Sequence, residues 1–169
     1  TALNQFSRFD VKVPFTMVAG TPGFLWDAEH FRGMNLPTEL FVSPGTWVYF
    51  DAVSESMLPD TFEPAALIYA QVMDRPTEAT ATLNMGHKRW SVDQGAITLF
   101  SIPGMQAKSW SAEHTVVTVP PEASLNIGDP VLIVPQHVCS TVNLWETAVR
   151  VDERGEIVDS NMKIEARNR

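Results

Sequence analysis

Short runs of β-branched and aromatic residues, separated by turns that contain Gly or Pro, recur along most of the chain at a spacing of about ten residues. Regular short strands of this kind are typical of an antiparallel β sandwich or barrel. We therefore predict a mainly β fold, with an antiparallel sandwich or barrel domain over residues 37–169. The predicted strands cover residues 38–42, 46–50, 65–74, 80–84, 107–114, 115–119, 129–134, 146–152 and 156–160.

The first 36 residues have a different pattern. A helix is predicted over residues 1–9, and a mostly apolar strand over residues 11–17 ends in a turn that contains Gly. Such a strand is typical of a parallel sheet covered on both faces, and the sequence shows no second parallel strand. Residues 26–37 fit either a short helix or an irregular loop. We predict that residues 1–36 are the last strand or strands of an α/β (TIM-type) barrel, followed by the β domain.

Composition and charge exclude several classes of partner. The 169 residues carry a formal net charge of −8, and the longest basic cluster is Lys88-Arg89, so a nucleic-acid footprint is not expected. The sequence has no apolar run of about 18 residues, so no membrane span is expected. The N-terminal residues do not resemble a signal peptide, and the one cysteine fits a reducing compartment. We expect a cytoplasmic protein.

The stretch after the last strong β pattern contains His137 and Cys139, two positions apart. If the strand continued through them, both side chains would lie on one face, where an imidazole nitrogen and a thiolate could bind one metal ion. Zinc accepts this pair at about 2.0–2.3 Å. Two protein ligands leave the other positions open to water or substrate. The pair by itself fits equally a buried cysteine beside a structural histidine.

The apolar strand at the front ends in Ala-Gly-Thr-Pro at residues 19–22. A turn of small residues exposes backbone N–H groups, which can bind a phosphate. The same residues also fit an ordinary turn, and the pattern alone does not decide between the two.

Five stretches of the sequence share their residues and their order with one protein family. The chain resembles the C-terminal part of the pyridoxal-phosphate enzymes that include D-threonine aldolase and eukaryotic-type D-serine dehydratase. The last of the five stretches is the most specific. They are residues 19–22 (Ala-Gly-Thr-Pro), 44–51 (Pro-Gly-Thr-Trp-Val-Tyr-Phe-Asp), 82–88 (Thr-Leu-Asn-Met-Gly-His-Lys, with Ser91 and Asp93), 111–114 (Ser-Ala-Glu-His) and 135–144 (Pro-Gln-His-Val-Cys-Ser-Thr-Val-Asn-Leu).

The resemblance implies a fold-type III enzyme, in which an alanine-racemase-like barrel precedes a metal-binding β domain. It implies pyridoxal 5'-phosphate bound in part by Gly20 and Thr21, and a divalent metal bound by His137 and Cys139. The thiolate favours zinc over magnesium or manganese. The implied activity is that of a lyase on D-β-hydroxy-amino acids, in which the metal activates the substrate β-hydroxyl for aldol cleavage or for β-elimination.

Departures from the family pattern limit what this chain can do alone. The family's cofactor lysine lies upstream of the matching region, and neither Lys12 nor Lys88 has a matching context, so no catalytic residue is expected in this chain. We expect a second chain or segment to supply the barrel, and a dimeric assembly. Ala19 stands where the family has glycine, and Asn84 where it has aspartate.

Two interpretations of different kind remain open from the sequence. The chain is either the metal-bearing portion of a pyridoxal-phosphate lyase, or a non-catalytic β-domain subunit or fragment that serves assembly only. His87 and His114 fit either acid–base groups or structural histidines, and Asp93 has no spacing that marks it as part of a catalytic carboxylate pair.

Overall fold

A parallel strand pair near the front of the chain and a six-stranded antiparallel sheet after it make up most of the regular structure. The computed structural model describes residues 2–94, 99–165 and 167. The chain divides into two units, Thr1–Val48 and Tyr49–Arg169. The assignment of residues 1–36 to a barrel remnant stays a prediction.

The first unit has a β-α-β arrangement. Helix α1 (Ala2–Arg8) agrees with the predicted helix over residues 1–9, of which Thr1 lies outside the described residues. Strand β1 (Phe15–Val18), helix α2 (Phe24–Phe31) and strand β2 (Glu39–Val42) follow. β1 and β2 pair in parallel, in register from Phe15 opposite Glu39 to Val18 opposite Val42.

The parallel pair contradicts two sequence-based predictions. A second parallel strand is present, and residues 38–50 do not form a strand-turn-strand hairpin. β2 continues its pairing with β1 into the next residue, since the Ser43 N–H donates to the carbonyls of Val18 and Ala19 at 3.1 and 3.2 Å. The following Thr46–Val48 is a 3₁₀ turn. The backbone groups of β2 that would have paired with residues 46–50 in a hairpin are therefore hydrogen-bonded to β1 instead.

In the second unit one antiparallel sheet has the strand order β5-β8-β3-β4-β7-β6. Its long strand β3 changes partner along its length, because residues 68–71 pair with β8 and residues 72–77 pair with β4. This change lets the sheet curl as half a barrel. The prediction of a mainly β fold is thus confirmed. The strands are β3 (Ile68–Thr77), β4 (Thr80–Leu83), β5 (Leu99–Phe100), β6 (Gln106–Trp110), β7 (Thr115–Thr118) and β8 (Pro130–Val134).

The core lies on one face of this sheet. Burial alternates along β3, β4 and β8, so every second side chain points to the same apolar cluster. Full burial of one large aliphatic side chain, such as Leu or Ile, stabilises the fold by about 1.5–3 kcal/mol. The core residues are Ile68, Ala70, Val72, Ala81, Leu83, Met85, Trp90, Met105, Val117, Val119, Leu125, Val131 and Ile133.

Two short helices and a hairpin complete the second unit. Helix α3 (Ala52–Met57) precedes the sheet, and helix α4 (Val138–Val142) follows β8. Strands β9 (Thr147–Val151) and β10 (Ile157–Lys163) form the predicted C-terminal hairpin. In the part of the chain that the structure describes, every helix is too short or too polar to cross a membrane.

Gly86 brings two loops of the second unit into backbone contact. A Cβ atom at this position would overlap the Ser111 carbonyl oxygen and would lie 2.7 Å from that of Ala112. The two loops are also joined by a hydrogen bond at this point, because the His87 N–H donates to the Ser111 carbonyl at 3.0 Å. The contact joins two of the five family-like stretches, residues 82–88 and 111–114.

We expect Gly86→Ala to destabilise the second unit by about 1–3 kcal/mol or more, because the added methyl group meets rigid backbone. Urea unfolding monitored by tryptophan fluorescence measures the change. Gly45→Ala is the matched control, since a Cβ atom there meets nothing within 4 Å. Equal stability of the two variants would contradict the close approach.

Candidate functional site

The predicted metal ligands lie at the beginning of helix α4 and not on a strand. His137 is the N-cap residue, with extended backbone angles, and Cys139 lies in the first turn. The Thr141 N–H donates to the His137 carbonyl at 3.2 Å, which begins the helix. The condition that the strand continues through both residues is therefore wrong, and period-2 alternation does not place the two side chains. Cys139 is exposed.

Asp51 is the reason that the chain turns helical after His137. Its Oδ2 accepts a hydrogen bond from the Val138 N–H at 3.0 Å, and its Oδ1 accepts one from the Ser54 N–H at 2.8 Å. This carboxylate is buried and caps both α3 and α4. N–H groups at a helix start lack partners within the helix, so a carboxylate there stabilises it. Asp51 thereby fixes the backbone on which both predicted ligands stand.

Main-chain hydrogen bonds strengthen the same junction. The Ala52 N–H donates to the Pro135 carbonyl at 3.0 Å, and the Val53 N–H donates to the Gln136 carbonyl at 3.3 Å. The two residues before His137 are therefore held by the first turn of α3. The segment that leads into the site has little freedom to shift along the helix.

Asp93 lies against the imidazole of His137. Its Oδ2 is 2.8 Å from the His137 Nδ1, and the Ser140 hydroxyl donates to Oδ1 and Oδ2 at 3.2 and 3.3 Å. The Ser91 hydroxyl donates to Oδ1 as well. The side chains of His137 and Asp93 are 28% and 45% exposed, so a ligand can reach them.

Hydrogen bonding keeps the Asp93 carboxyl ionised. The bond from Ser91 is the largest influence and lowers the pKa of Asp93 below its ordinary value. Partial burial acts in the opposite direction, and the hydrogen bond and charge of His137 and the hydroxyl of Ser140 lower the pKa further. An ionised carboxylate only accepts hydrogen bonds, so the His137 Nδ1 that faces it carries the proton.

The loop that carries Asp93 is anchored on α4 and on the segment behind it. The Ser91 N–H donates to the hydroxyl of the buried Thr141 at 3.0 Å. The Trp145 indole N–H donates to the Arg89 carbonyl at 2.8 Å, and the Arg89 guanidinium lies 5.2 Å from the centre of the Trp145 ring. Two of the family-like stretches, residues 82–88 with Ser91 and Asp93 and residues 135–144, therefore meet at this site.

The donors at the start of α4 fit a metal such as zinc. A neutral imidazole with its proton on Nδ1 has the lone pair of Nε2 available to a metal, which is the arrangement in which a carboxylate supports a ligating histidine. An imidazole and a thiolate are both zinc ligands. Among residues 2–94, 99–165 and 167, no group of three or more His, Cys, Asp and Glu residues is placed to hold a metal. The assignment of His137 and Cys139 as a ligand pair stays a prediction.

The predicted phosphate turn belongs to the first unit. The carbonyl of Gly20 accepts the N–H groups of Gly23 and Phe24 at 3.1 Å, so the turn leads directly into α2. Gly20 is exposed, and a Cβ atom there would meet only the Pro22 ring, at 4.0 Å. The space beside Gly20 is therefore open, while the N–H groups of Gly23 and Phe24 are already used within the turn. The part assigned to Gly20 and Thr21 in cofactor binding stays a prediction.

Thr21 connects this turn to the next family-like stretch. Its side chain is buried, and its hydroxyl accepts a hydrogen bond from the Trp47 N–H at 3.1 Å. The hydroxyl hydrogen can still be donated to another group. Thr21 thus holds residues 44–48 beside the turn in the first unit.

Ala19 adopts a backbone conformation that favours glycine. Its φ angle is +57°, in the left-handed region, where a Cβ atom costs about 1–2 kcal/mol. This is the position at which the sequence departs from the glycine of the family. The turn keeps the glycine conformation although the residue has changed.

Sequence reasoning gave no role to Asp51, Asp93 or Ser140. Asp93 had a usable signal, because Ser91 and Asp93 follow a family-like stretch with a spacing of two. Asn84, which replaces the family's aspartate, has a structural contact: its side-chain oxygen accepts the Gln71 N–H at 2.8 Å. For His114 the structure shows a turn contact of its backbone, whose N–H donates to the Ser111 hydroxyl at 3.3 Å.

Comparison with known protein families finds one match. The family described as "Putative serine dehydratase domain" matches residues 65–151, a little over half of the chain. The match includes Asp93, His137 and Cys139. Comparison with curated proteins finds no match.

Solved structures with the same fold include a D-threonine aldolase and a dehydratase. D-threonine aldolase from Filomicrobium marinum is 27% identical, with a TM-score of 0.72 over 86% of this chain and 39% of that chain. D-threo-3-hydroxyaspartate dehydratase from Delftia sp. HT23 is 17% identical, with a TM-score of 0.73 over 96% and 47%. A cysteine-to-alanine mutant of that dehydratase, in the metal-free form, gives the same values. This chain thus spans less than half the length of these proteins.

We expect Asp51→Ala to destabilise the second unit by about 1–2 kcal/mol for each helix start that loses its cap. Urea unfolding measures the loss, and amide hydrogen exchange should show reduced protection of Val138. Glu122→Ala is the control, since Glu122 is an exposed carboxylate of the same unit. Unchanged protection of Val138 would contradict the double cap.

We expect Ala19→Gly to stabilise the first unit by up to about 1 kcal/mol, because glycine adopts a positive φ without steric cost. Ala28→Gly, at an exposed position within α2, is the control and should destabilise by about 1 kcal/mol. Urea unfolding followed by circular dichroism distinguishes the two. A loss of stability in Ala19→Gly would show that the left-handed conformation is not adopted.

Proposed function

This chain belongs to the putative serine dehydratase domain family, and from that premise we propose that it is the metal-bearing C-terminal portion of a pyridoxal-phosphate-dependent lyase. The proposed substrates are D-amino acids with a β-hydroxyl group. Support comes from the family match and from the fold shared with D-threonine aldolase at 27% identity. The relatives are more than twice as long as this chain, which leaves room for a barrel portion supplied by another segment or chain.

The observation that carries the proposal is the contact between His137 and Asp93. At 2.8 Å, an ionised Asp93 holds the proton of the imidazole on Nδ1 and turns Nε2 into an available ligand. Cys139 is exposed in the first turn of the same helix. The residues present therefore fit a zinc ion, with open positions left for water or substrate.

His137 and Cys139 would hold the metal, and the other residues of the site keep these two in place. A divalent metal bound there would act as a Lewis acid on the substrate β-hydroxyl. Asp93 keeps the Nδ1 proton on His137, and Asp51 fixes the helix start from which both ligands project. Because two relatives with this fold are an aldolase and a dehydratase, the proposal includes both aldol cleavage and β-elimination.

In the first unit, Gly20 and Thr21 would contribute to binding the phosphate of pyridoxal 5'-phosphate. Support comes from the open space beside Gly20, in the turn that leads into α2. This cofactor supplies an electron sink for chemistry at the substrate α-carbon. The lysine that binds it would come from the barrel portion, so this chain contributes no catalytic residue of its own.

The exposed faces of the first unit support an interaction with that barrel portion. Phe15, Met17 and Phe41, on the parallel strands β1 and β2, are 56%, 60% and 45% exposed. Parallel strands are normally covered on both faces. We propose that neighbouring barrel strands and helices cover them in a dimeric, cytoplasmic enzyme.

A second proposal of different kind has one observation in its favour. Ala19 keeps a glycine conformation at a strained φ of +57°, and this residue departs from the family in the phosphate turn. A chain that no longer binds the cofactor would tolerate such a change. In that case the chain would be a non-catalytic β-domain subunit or fragment that serves assembly.

We expect His137→Ala and Cys139→Ser, each in the complete assembly, to lose bound zinc and to lower lyase activity by more than about 100-fold. Plasma mass spectrometry measures the metal, and product analysis with D-threonine and D-serine measures the activity. Glycine with an aldehyde indicates aldol cleavage, and an α-keto acid with ammonia indicates β-elimination.

His30→Ala is the matched control, since His30 is an exposed histidine on α2 of the first unit. It should keep the metal content and the activity of the unchanged protein. An assembly that holds no divalent metal, with full activity in His137→Ala, would refute the lyase proposal and favour the assembly role.

A further inference from the structure

We propose that Asp93 is a positioning residue for the metal site. Its carboxylate binds the His137 ring and the Ser140 side chain of α4, and so orients the proposed ligands without binding the metal itself. The proposal rests on the proposed function, because it concerns the same two ligands. It adds a prediction about metal affinity that the His-x-Cys spacing alone does not contain.

The oxygens of Asp93 are occupied in a way that suits support and not direct ligation. Oδ2 faces the His137 Nδ1 at 2.8 Å, and Oδ1 accepts the Ser91 hydroxyl. The Ser140 hydroxyl donates to both oxygens, at 3.2 and 3.3 Å. A carboxylate has about four acceptor positions, and these three donors use most of them.

Asp93 binds helix α4 through Ser140 in addition to the His137 ring. Ser140 follows Cys139 directly on α4, and its hydroxyl also lies 3.5 Å from the His137 carbonyl. The same carboxylate therefore contacts the ring of one proposed ligand and the helix turn that carries the other. A change at Asp93 should alter the orientation of His137 and its relation to Cys139 together.

Further hydrogen bonds, outside the two proposed ligands, hold the loop that bears Asp93. The Ser91 N–H is bonded to the Thr141 hydroxyl at 3.0 Å, and the Asp93 N–H lies 3.3 Å from the Ser91 hydroxyl. These contacts hold residues 91–93 against α4 through groups that a metal would not touch. Contacts of this kind would lower the ordering cost of metal binding.

A different role would also use the Asp93–His137 contact. The pair could act as a proton relay, in which Nε2 takes a proton from the substrate and no metal binds to it. The two roles differ in what Asp93 controls: metal affinity in the first, and a proton transfer without metal in the second.

The experiment titrates the complete assembly, freed of metal, with Co²⁺. Binding is followed by the charge-transfer absorption that a thiolate ligand gives. We expect Asp93→Ala to weaken Co²⁺ binding about 10–100-fold, and Ser140→Ala to weaken it by a smaller factor. Asp93→Asn should fall between Asp93→Ala and the unchanged protein, since its amide oxygen still accepts a hydrogen bond.

Glu113→Gln is the matched control. Glu113 is an exposed carboxylate on the loop that meets Gly86, and it pairs with Lys88 at 2.8 Å. Its substitution should leave the Co²⁺ affinity unchanged. A second readout needs no metal: nitrogen-15 NMR of the imidazole should show the proton of His137 on Nδ1 in the unchanged protein, and a mixture of tautomers in Asp93→Ala.

The outcomes separate the two proposals. If the unchanged protein binds Co²⁺ and Asp93→Ala binds it equally well, the positioning role is wrong while the metal site stands. If the unchanged protein binds no Co²⁺, the proposed function fails, and the NMR measurement still tests the contact. A neutral His137 ring in the unchanged protein with its proton on Nε2 and none on Nδ1 would overturn the positioning role in either case.

Discussion

The buried carboxylate of Asp51 is the interaction on which the candidate site depends most. It accepts hydrogen bonds from the N–H of Ser54 at 2.8 Å and from that of Val138 at 3.0 Å. One side chain therefore binds an N–H group at the beginning of each of two helices. The second of these bonds joins residues 87 positions apart. Without it, nothing in the local sequence would turn the chain into a helix directly after His137. The site therefore rests on a long-range contact.

This dependence explains what the sequence could and could not predict. Five of the six strands of the sheet were predictable from runs of β-branched and aromatic residues between turns, whereas the two-residue strand β5 was not predicted. The C-terminal hairpin was predictable because Gly155 marks its turn. Helix α4 was not, because its residues are β-branched or short and its N-cap, His137, makes no side-chain cap. The parallel pairing of β1 with β2 was missed for another reason, since pairing between strands that are distant in sequence has no local signal.

The candidate site divides in a similar way. The residue pair His137 and Cys139 could be picked from a family-like motif, although the geometric reasoning that accompanied it assumed a strand. Asp93 belonged with Ser91 to a family-like stretch, but no role could be assigned to it, since its spacing does not mark a catalytic carboxylate pair. Its role becomes visible only when the loop folds back on α4 through Ser91 and Thr141. Motifs thus indicate ligands, and tertiary contacts indicate what orients them.

Strand β3 has a consequence for how the second unit comes apart. Residues 68–71 belong to one half of the sheet and residues 72–77 to the other, so the two halves share one continuous backbone. Neither half can lose this strand without exposing the apolar residues of both. The sheet should therefore open as one cooperative block and not as two. The loop that bears Asp93 and the helix that bears His137 leave from strands of opposite halves, β4 and β8, and would lose their alignment in the same event.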